Sequence, residues 1–413
     1  MHNKSAKTTS IIMWLVVSFF YAYQYILRVL PSAMLDDIML RFNIDALAFG
    51  QFSGVYYIGY SLIHIPLGIW LDRFGPKKVI PICILLSAVG VAPIIFAESW
   101  IYPIIGRTLT GIGSSAAILG VFKVIRMAFD ERRFTRMLSF SVTIGLMGAI
   151  YGSAPLRSMY VMFGYKVSVS ILILLGIILA VLAFVSIPKT ENNSANSDEK
   201  PQSMFANVGS VFSNLKVMII CFSAGLMVGP LEGFADIWGP KFLTNAFGIE
   251  SSSASYITAM IFVGMCFGSP ILNFIAEKTK SYLGTVILSG ILMFAVFVML
   301  IAKATTSLTI ITVGFIIVGI CSAYQILAIY KASTYVDENA TGIATAMANM
   351  IIMIFGYALH GLIGGTINVF GGIDNAESAL CYGVAIIPIT LLIGTIGFIF
   401  LAYKDRQSKS INK

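Results

Sequence analysis

Two arginines and two acids stand well inside apolar runs of this sequence: Arg28, Arg107, Glu232 and Asp236. A charge in an apolar medium costs ~2.5 kcal/mol or more, so each of the four must meet a partner or a watery path. A guanidinium offers a planar fork of donors that takes a carboxylate two bonds at a time. A carboxylate, in turn, can hold an ammonium group or exchange a proton. The four together suit a zwitterion, with Arg28 on its carboxylate and Glu232 or Asp236 on its ammonium or on a proton. They equally suit an ion pair that closes a gate, or charges at helix ends.

Polar side chains accompany them. Tyr21, Gln24, Tyr25 and Arg28 recur at spacings of three and four, which is one helix face. The expected solute contacts are Tyr21, Gln24, Tyr25, Arg28, Tyr56, Tyr60, Tyr324, Gln325 and Tyr357, with Tyr57 beside them. The expected charge-pair or coupling set is Arg107, Glu232, Asp236 and His360. Tyrosines near a membrane surface also serve as anchors, and an isolated histidine such as His64 is usually packed or paired. His360 is the better proton carrier of the two because Asn349 and Tyr357 share its run. The five cysteines (Cys83, Cys221, Cys266, Cys321, Cys381) fall in apolar runs at no metal-binding spacing and read as small buried side chains. No metal site is expected. Nor is a catalytic one, since the paired external acids Asp36 and Asp37 sit beside Arg41 in a short loop with no nucleotide or metal site.

The elements that must position these residues follow from composition. Of 413 residues 58% are hydrophobic and 11% charged, against ~25% charged in soluble domains. About 240 apolar residues, at ~20 per bilayer-spanning helix, make about twelve spans and leave little for an extramembrane domain. That excludes a soluble enzyme, a secreted scaffold and a nucleic-acid binder. Continuous runs such as ILILLGIILAVLAFVSI exclude the alternating strands of a β-barrel. The runs fall at 9–34, 46–70, 77–97, 101–127, 135–160, 167–187, 214–239, 253–275, 282–303, 308–332, 341–370 and 378–402, numbered here as spans 1 to 12. The first outlasts a signal-peptide core and has no small-residue cleavage pattern, so it is expected to remain. KTENNSANSDEKPQS, after the sixth, reads as a flexible linker. The expected organisation is a six-helix bundle over 1–188, a cytoplasmic linker over 189–213 and a second bundle over 214–413.

The net charge of +8 reports topology rather than an acidic partner. With the N-terminus inside, 20 of the 27 Lys and Arg residues flank the inner ends of the spans. Six (Arg28, Arg41, Arg157, Lys166, Lys241, Lys303) lie toward the other side, and Arg107 is within span 4. The positive-inside rule then puts both termini in the cytoplasm. The halves repeat: GRTLTGIGSSAAIL (106–119) and GFIIVGICSAYQIL (314–327) match at six of fourteen positions with an offset of 208. The same offset relates Arg28 to Asp236.

The loop after span 2 reads Gly68-Ile-Trp-Leu-Asp72-Arg73-Phe-Gly75-Pro-Lys77-Lys78. Gly75 permits a tight turn, Gly68 permits a neighbouring helix to approach closely, and Asp72 can pair with a base or cap a helix. This loop resembles the signature loop of the major facilitator superfamily. Pro76 departs from it, standing where the family usually has a basic residue, and should stiffen the turn. Asn273-Phe-Ile-Ala-Glu277-Lys278-Thr-Lys280 is a degraded second copy. Arg107-Thr-Leu-Thr-Gly111-Ile-Gly113 in span 4, the small face Gly145, Gly148, Gly152 with Pro155 in span 5, and Gly164-Tyr165-Lys166 before span 6 are similar to further family segments. Tyr25-Ile-Leu-Arg28 through Met34, with Trp238-Gly-Pro240, resembles the branch that includes amino-acid importers of intracellular bacteria.

The resemblance implies an all-α membrane protein of twelve transmembrane helices in two pseudo-symmetric six-helix bundles. It places spans 1, 4, 7 and 10 around the transport path and gives Gly68, Asp72, Arg73, Gly75, Lys77 and Lys78 a gating role. The function it implies is secondary transport by alternating access, here proton-coupled uptake of a small zwitterionic or anionic solute, an amino acid or short peptide first. Efflux of a drug or siderophore, and a transporter-like solute sensor, are the alternatives. A proton gradient is the expected energy source, with Na+ open, and no cofactor is expected. The partners are the solute and the lipid bilayer, without nucleic acid, for a monomer in the bacterial cytoplasmic membrane.

Overall fold

The computed structural model describes residues 2–189, 209, 211–337, 340–373 and 376–411; the expected linker lies largely outside them. Every regular element among the described residues is helical. Eleven helical segments are long and apolar enough to cross a bilayer. One of them, Glu131–Ser186, has 56 residues, or ~84 Å at ~1.5 Å per residue, far beyond a ~30 Å hydrocarbon core. It is broken at Gly164, whose φ of 78° and ψ of 163° are not helical. Counted as two, it brings the described spans to twelve.

The remaining spans are Thr8–Ala33 (span 1), Ala46–Phe74 (2), Pro76–Phe96 (3), Ile101–Ala128 (4), Leu215–Phe247 (7), Ser251–Thr279 (8), Tyr282–Ile301 (9), Leu308–Ser333 (10), Thr341–Val369 (11) and Glu377–Gln407 (12). Large apolar side chains stay exposed along the twelve spans, among them Val185 at 74% and Leu62 at 65%. Such surface is stable only against lipid. This is a multi-pass membrane protein.

Local sequence explains the breaks. Gly75 adopts φ 78° and ψ 155°, a region open essentially to glycine alone. Pro76 then occupies the first turn of span 3, where a missing N–H removes no helical bond. Pro76 therefore starts the helix directly after the turn. Asn214 caps span 7 by accepting from the Lys216 and Val217 amides at 3.1 and 3.3 Å. Span 7 runs on past its expected end at 239 to Phe247, through a π-helical stretch Gly229–Trp238.

Asp36 and Asp37 lie in the first turn of a short helix, Leu35–Phe42, rather than in a loop. Acids there face the positive end of the helix dipole. Asp37 also accepts from the Tyr160 hydroxyl, and Arg41 ties the other end to the carbonyls of Ile95 and Ala97.

Glycines set the helix contacts. A Cβ at Gly148 would strike the Ala22 carbonyl and one at Gly145 the Tyr21 ring, so the small face of span 5 lies against span 1. Span 2 crosses span 4 equally closely, since a Cβ on Gly59 would meet the Thr108 carbonyl and one on Gly111 the Tyr56 carbonyl. Gly68 behaves differently: a Cβ there would find nothing within 4 Å. The close approach expected at Gly68 is made at Gly59 instead, because the two helices diverge below their crossing.

Contacts divide the chain into two compact units. The first comprises Met1–Ile44 and Val55–Asp198, the second Asp45–Gly54 and Glu199–Lys413.

Candidate solute-binding site

In the first unit the polar residues of spans 1, 2 and 4 form one buried cluster. Arg28, only 7% exposed, holds its guanidinium carbon 5.2 Å from the ring centroids of both Tyr25 and Tyr57. A cation over aromatic faces in a desolvated setting gains on the order of 1–2 kcal/mol per ring. Tyr25 packs on Tyr21 with centroids 5.4 Å apart. The Tyr56 hydroxyl donates to Gln24 Oε1 at 2.6 Å, and its ring stacks on Tyr60 at 6.1 Å. Tyr21, Gln24, Tyr25, Arg28, Tyr56 and Tyr60 are thus brought together. Tyr57 completes the cage, and its place directly after Tyr56 gave no periodic signal.

Arg107 is engaged with the backbone of span 1. Its two terminal nitrogens donate to the carbonyls of Leu27 and Arg28, each at 2.6 Å, and its guanidinium lies 4.8 Å from the Tyr56 ring centroid. The reason lies four residues after Leu27. Pro31, inside the helix, has no N–H for the Leu27 carbonyl and crowds the turn around it. In lipid such a carbonyl must be satisfied by some other donor. Arg107 supplies one and so fixes the backbone that carries Arg28.

In the second unit the acids lie on the π-helical stretch of span 7. Glu232 and Asp236 are each 1% exposed. Gln325 on span 10 donates to Glu232 Oε1 at 3.4 Å, and His360 Nε2 on span 11 hydrogen-bonds the Glu232 main-chain carbonyl. A π-helix pairs residues five apart and recurs at functional positions. Gly229, Pro230 and Gly233 supply poor α-helix formers just where these acids sit. Glu232, Gln325 and His360 are thereby brought together. Tyr324 is set differently, fully buried with its hydroxyl donating to the Ala224 carbonyl at 2.6 Å, so it ties span 10 to span 7. Tyr357 packs against the backbone at Gly54. Phe49 meets Trp238 edge-on at 5.8 Å.

The loop after span 2 is held from two sides. Asp72 pairs with Lys123 at 2.7 Å. Lys77 donates to the carbonyls of Phe184 and Ile187 at 2.9 and 2.8 Å, where a cation complements the end of span 6. Arg73 lies over the Phe74 ring, and Lys78 is exposed. Among the described residues no group of three or more His, Cys, Asp or Glu could hold a metal ion. Cys83, Cys221 and Cys321 are buried as expected, whereas Cys266 and Cys381 are half-buried.

Fold and charge together define a polytopic carrier, and comparison with known proteins gives it a family. The Major Facilitator Superfamily profile matches residues 13–359, and the chain belongs to that superfamily. It is similar to the hexuronate transporter of Bacillus subtilis, 23% identical over 360 residues covering 82% of this chain and 83% of that one. It is also similar to the nitrite extrusion protein of Bacillus subtilis, 21% identical over 79% of each chain. Among solved structures it resembles the nucleoside transporter NupG with a TM-score of 0.75 at 15% identity, covering 94% of this chain and 98% of that one. The chain is a secondary transporter and not an enzyme. The narrower resemblance to amino-acid importers finds no counterpart among the relatives' names.

Proposed function

We propose that this chain carries a small carboxylate-bearing solute across the bacterial cytoplasmic membrane, in the direction of uptake and coupled to protons. The observation that carries this reading is Arg28, a permanent cation buried in a cage of tyrosine rings. A fork of donors held by aromatic faces is preorganised for a carboxylate, and the hydroxyl-rich surroundings suit a polyhydroxylated acid. A relative named for hexuronate supports the same class. Sugar acids come first on that ground. Amino acids come next. Glu232 and Asp236 are the proposed carriers of the coupling proton, with His360 bonded to the Glu232 main-chain carbonyl. Both termini lie in the cytoplasm by the charge asymmetry of the loops, and the carrier works as a monomer by alternating access.

Thermal stabilisation of the purified protein tests the reading. D-Glucuronate or L-glutamate should raise the melting temperature of the wild type, D-glucose should not, and Arg28→Ala should abolish the response. Equal stabilisation of wild type and Arg28→Ala by either acid overturns the carboxylate assignment. Stabilisation of both proteins by bulky aromatic cations instead points to drug efflux.

A further inference from the structure

Spans 2 and 4 are closed on each other at Gly59 and Gly111, where an added Cβ would strike the facing backbone, and they part toward their basic ends. A recess of about 270 Å³ fills the gap below that contact. Its charged lining is Asp72, Lys123 and Arg126, and its apolar lining includes Leu119 and Phe122. Gly68 leaves one wall without a side chain, since a Cβ there would find nothing within 4 Å. Asp72 holds Lys123 at 2.7 Å, so two bases against one acid leave the recess a single positive charge in excess.

The two kinds of lining separate by depth. The middle of span 2 falls at Tyr60 and that of span 4 at Ser114 and Ser115. At ~1.5 Å per residue, Leu119 and Phe122 stand ~7–11 Å from the middle, Lys123 ~13 Å, and Asp72 and Arg126 ~17–18 Å. Half of a ~30 Å hydrocarbon core is ~15 Å. The floor at Leu119 and Phe122 therefore lies among acyl chains, while the charges stand at the level of lipid phosphates, in the inner leaflet by the positive-inside rule. Phe122 is exposed and stacks on Phe134 at 6.2 Å, with Arg126 over the Phe134 ring at 5.6 Å. An aromatic ring exposed at that depth meets lipid rather than water.

We infer that this recess seats one anionic phospholipid of the inner leaflet, its phosphate on Lys123 and Arg126 and the first carbons of its chains on Leu119 and Phe122. Basic pockets between helices on the cytoplasmic side suit such head groups. The excess charge of the lining decides among lipids. Phosphatidylglycerol brings the single negative charge that balances it, whereas phosphatidylethanolamine brings no net charge and an ammonium that would have to displace Lys123 from Asp72. A soluble phosphate ester has the anion but nothing for the apolar floor. Topology explains why bases gather at this end, but it does not call for a recess with a bare wall at Gly68 and an apolar floor beneath two of them. The site lies apart from the Arg28 cluster and is independent of which solute is carried.

Native mass spectrometry of the delipidated full chain in detergent reads the binding of single lipids. The wild type should bind its first dioleoyl-phosphatidylglycerol at least fivefold more tightly than dioleoyl-phosphatidylethanolamine. Lys123→Gln with Arg126→Gln should remove that preference. Lys278→Gln with Lys280→Gln, which takes two exposed charges from the corresponding loop of the second half, should keep it. Gly68→Leu fills the recess, leaves every charge in place, and should weaken the first phosphatidylglycerol at least fivefold. Equal losses in the two double variants mean a diffuse basic surface and overturn the site, as does wild-type binding by Gly68→Leu. sn-Glycerol 3-phosphate is the soluble arm and should not compete. If it displaces phosphatidylglycerol at equal concentration, the occupant is a free phosphate ester and the lipid assignment is overturned.

Discussion

Arg107→Met removes a buried cation, and the structure says what that loss should cost. Two carbonyls, of Leu27 and Arg28, each lose a bond of 2.6 Å from a charged donor. A buried group left unsatisfied costs ~1–3 kcal/mol, while side-chain bonds between membrane helices average nearer ~0.6 kcal/mol. Charge assistance favours the upper range, so the expected loss is about 2–4 kcal/mol. Pro31→Ala should recover roughly 1 kcal/mol of it, because an alanine amide at position 31 reaches the Leu27 carbonyl from within the helix. On the wild-type background the same change should have little effect. The assay is equilibrium unfolding in mixed micelles, followed by circular dichroism for the two single variants and the double variant. The coupling between the two sites is the quantity of interest. Additive effects, or an Arg107→Met protein within 0.5 kcal/mol of wild type, would refute the claim that Arg107 repairs the backbone at Pro31.

Two glycine pairs separate packing from conformation. Gly111→Ala places a methyl on the Tyr56 carbonyl and should cost ~1–3 kcal/mol, whereas Gly68→Ala meets open space and should be neutral or stabilising by up to ~1 kcal/mol; melting temperatures in detergent decide. Gly75→Ala and Gly164→Ala, both at φ 78°, should each lose ~1–3 kcal/mol to strain, while Pro76→Lys, in the first helical turn, should stay within ~0.5 kcal/mol of wild type. If Gly75→Ala melts with the wild type, the loop is not held in the conformation described.

The sequence made the spans legible because lipid demands long apolar runs, and it made the breaks legible where Gly75 and Gly164 leave the helical region. Residues at periodic spacing, Tyr21 to Arg28, were placed on one face correctly, since helix geometry alone decides that. Partners across helices were harder to read. The bonds from Arg107 to the Leu27 and Arg28 carbonyls were not read, because backbone carbonyls carry no sequence signal; Pro31, four residues after Leu27, was the clue. Gly68 was assigned a close contact that belongs to Gly59, since spacing cannot tell at which level two helices cross. The π-helical stretch of span 7 was invisible for a related reason: pairing five residues apart is imposed by packing, and the glycines and proline there only permit it.

The proposed role of Arg28 is that of carboxylate anchor in a proton-driven carrier. The most direct measurement is uptake of labelled D-glucuronate by proteoliposomes under an imposed pH gradient, alkaline inside. The wild type should accumulate the acid above the external concentration and lose accumulation when the gradient is collapsed. Arg28→Lys keeps the charge but not the bidentate fork, and its kcat/KM should fall at least tenfold. Wild-type accumulation by Arg28→Lys, or equal accumulation of D-glucose by the wild type, would contradict it.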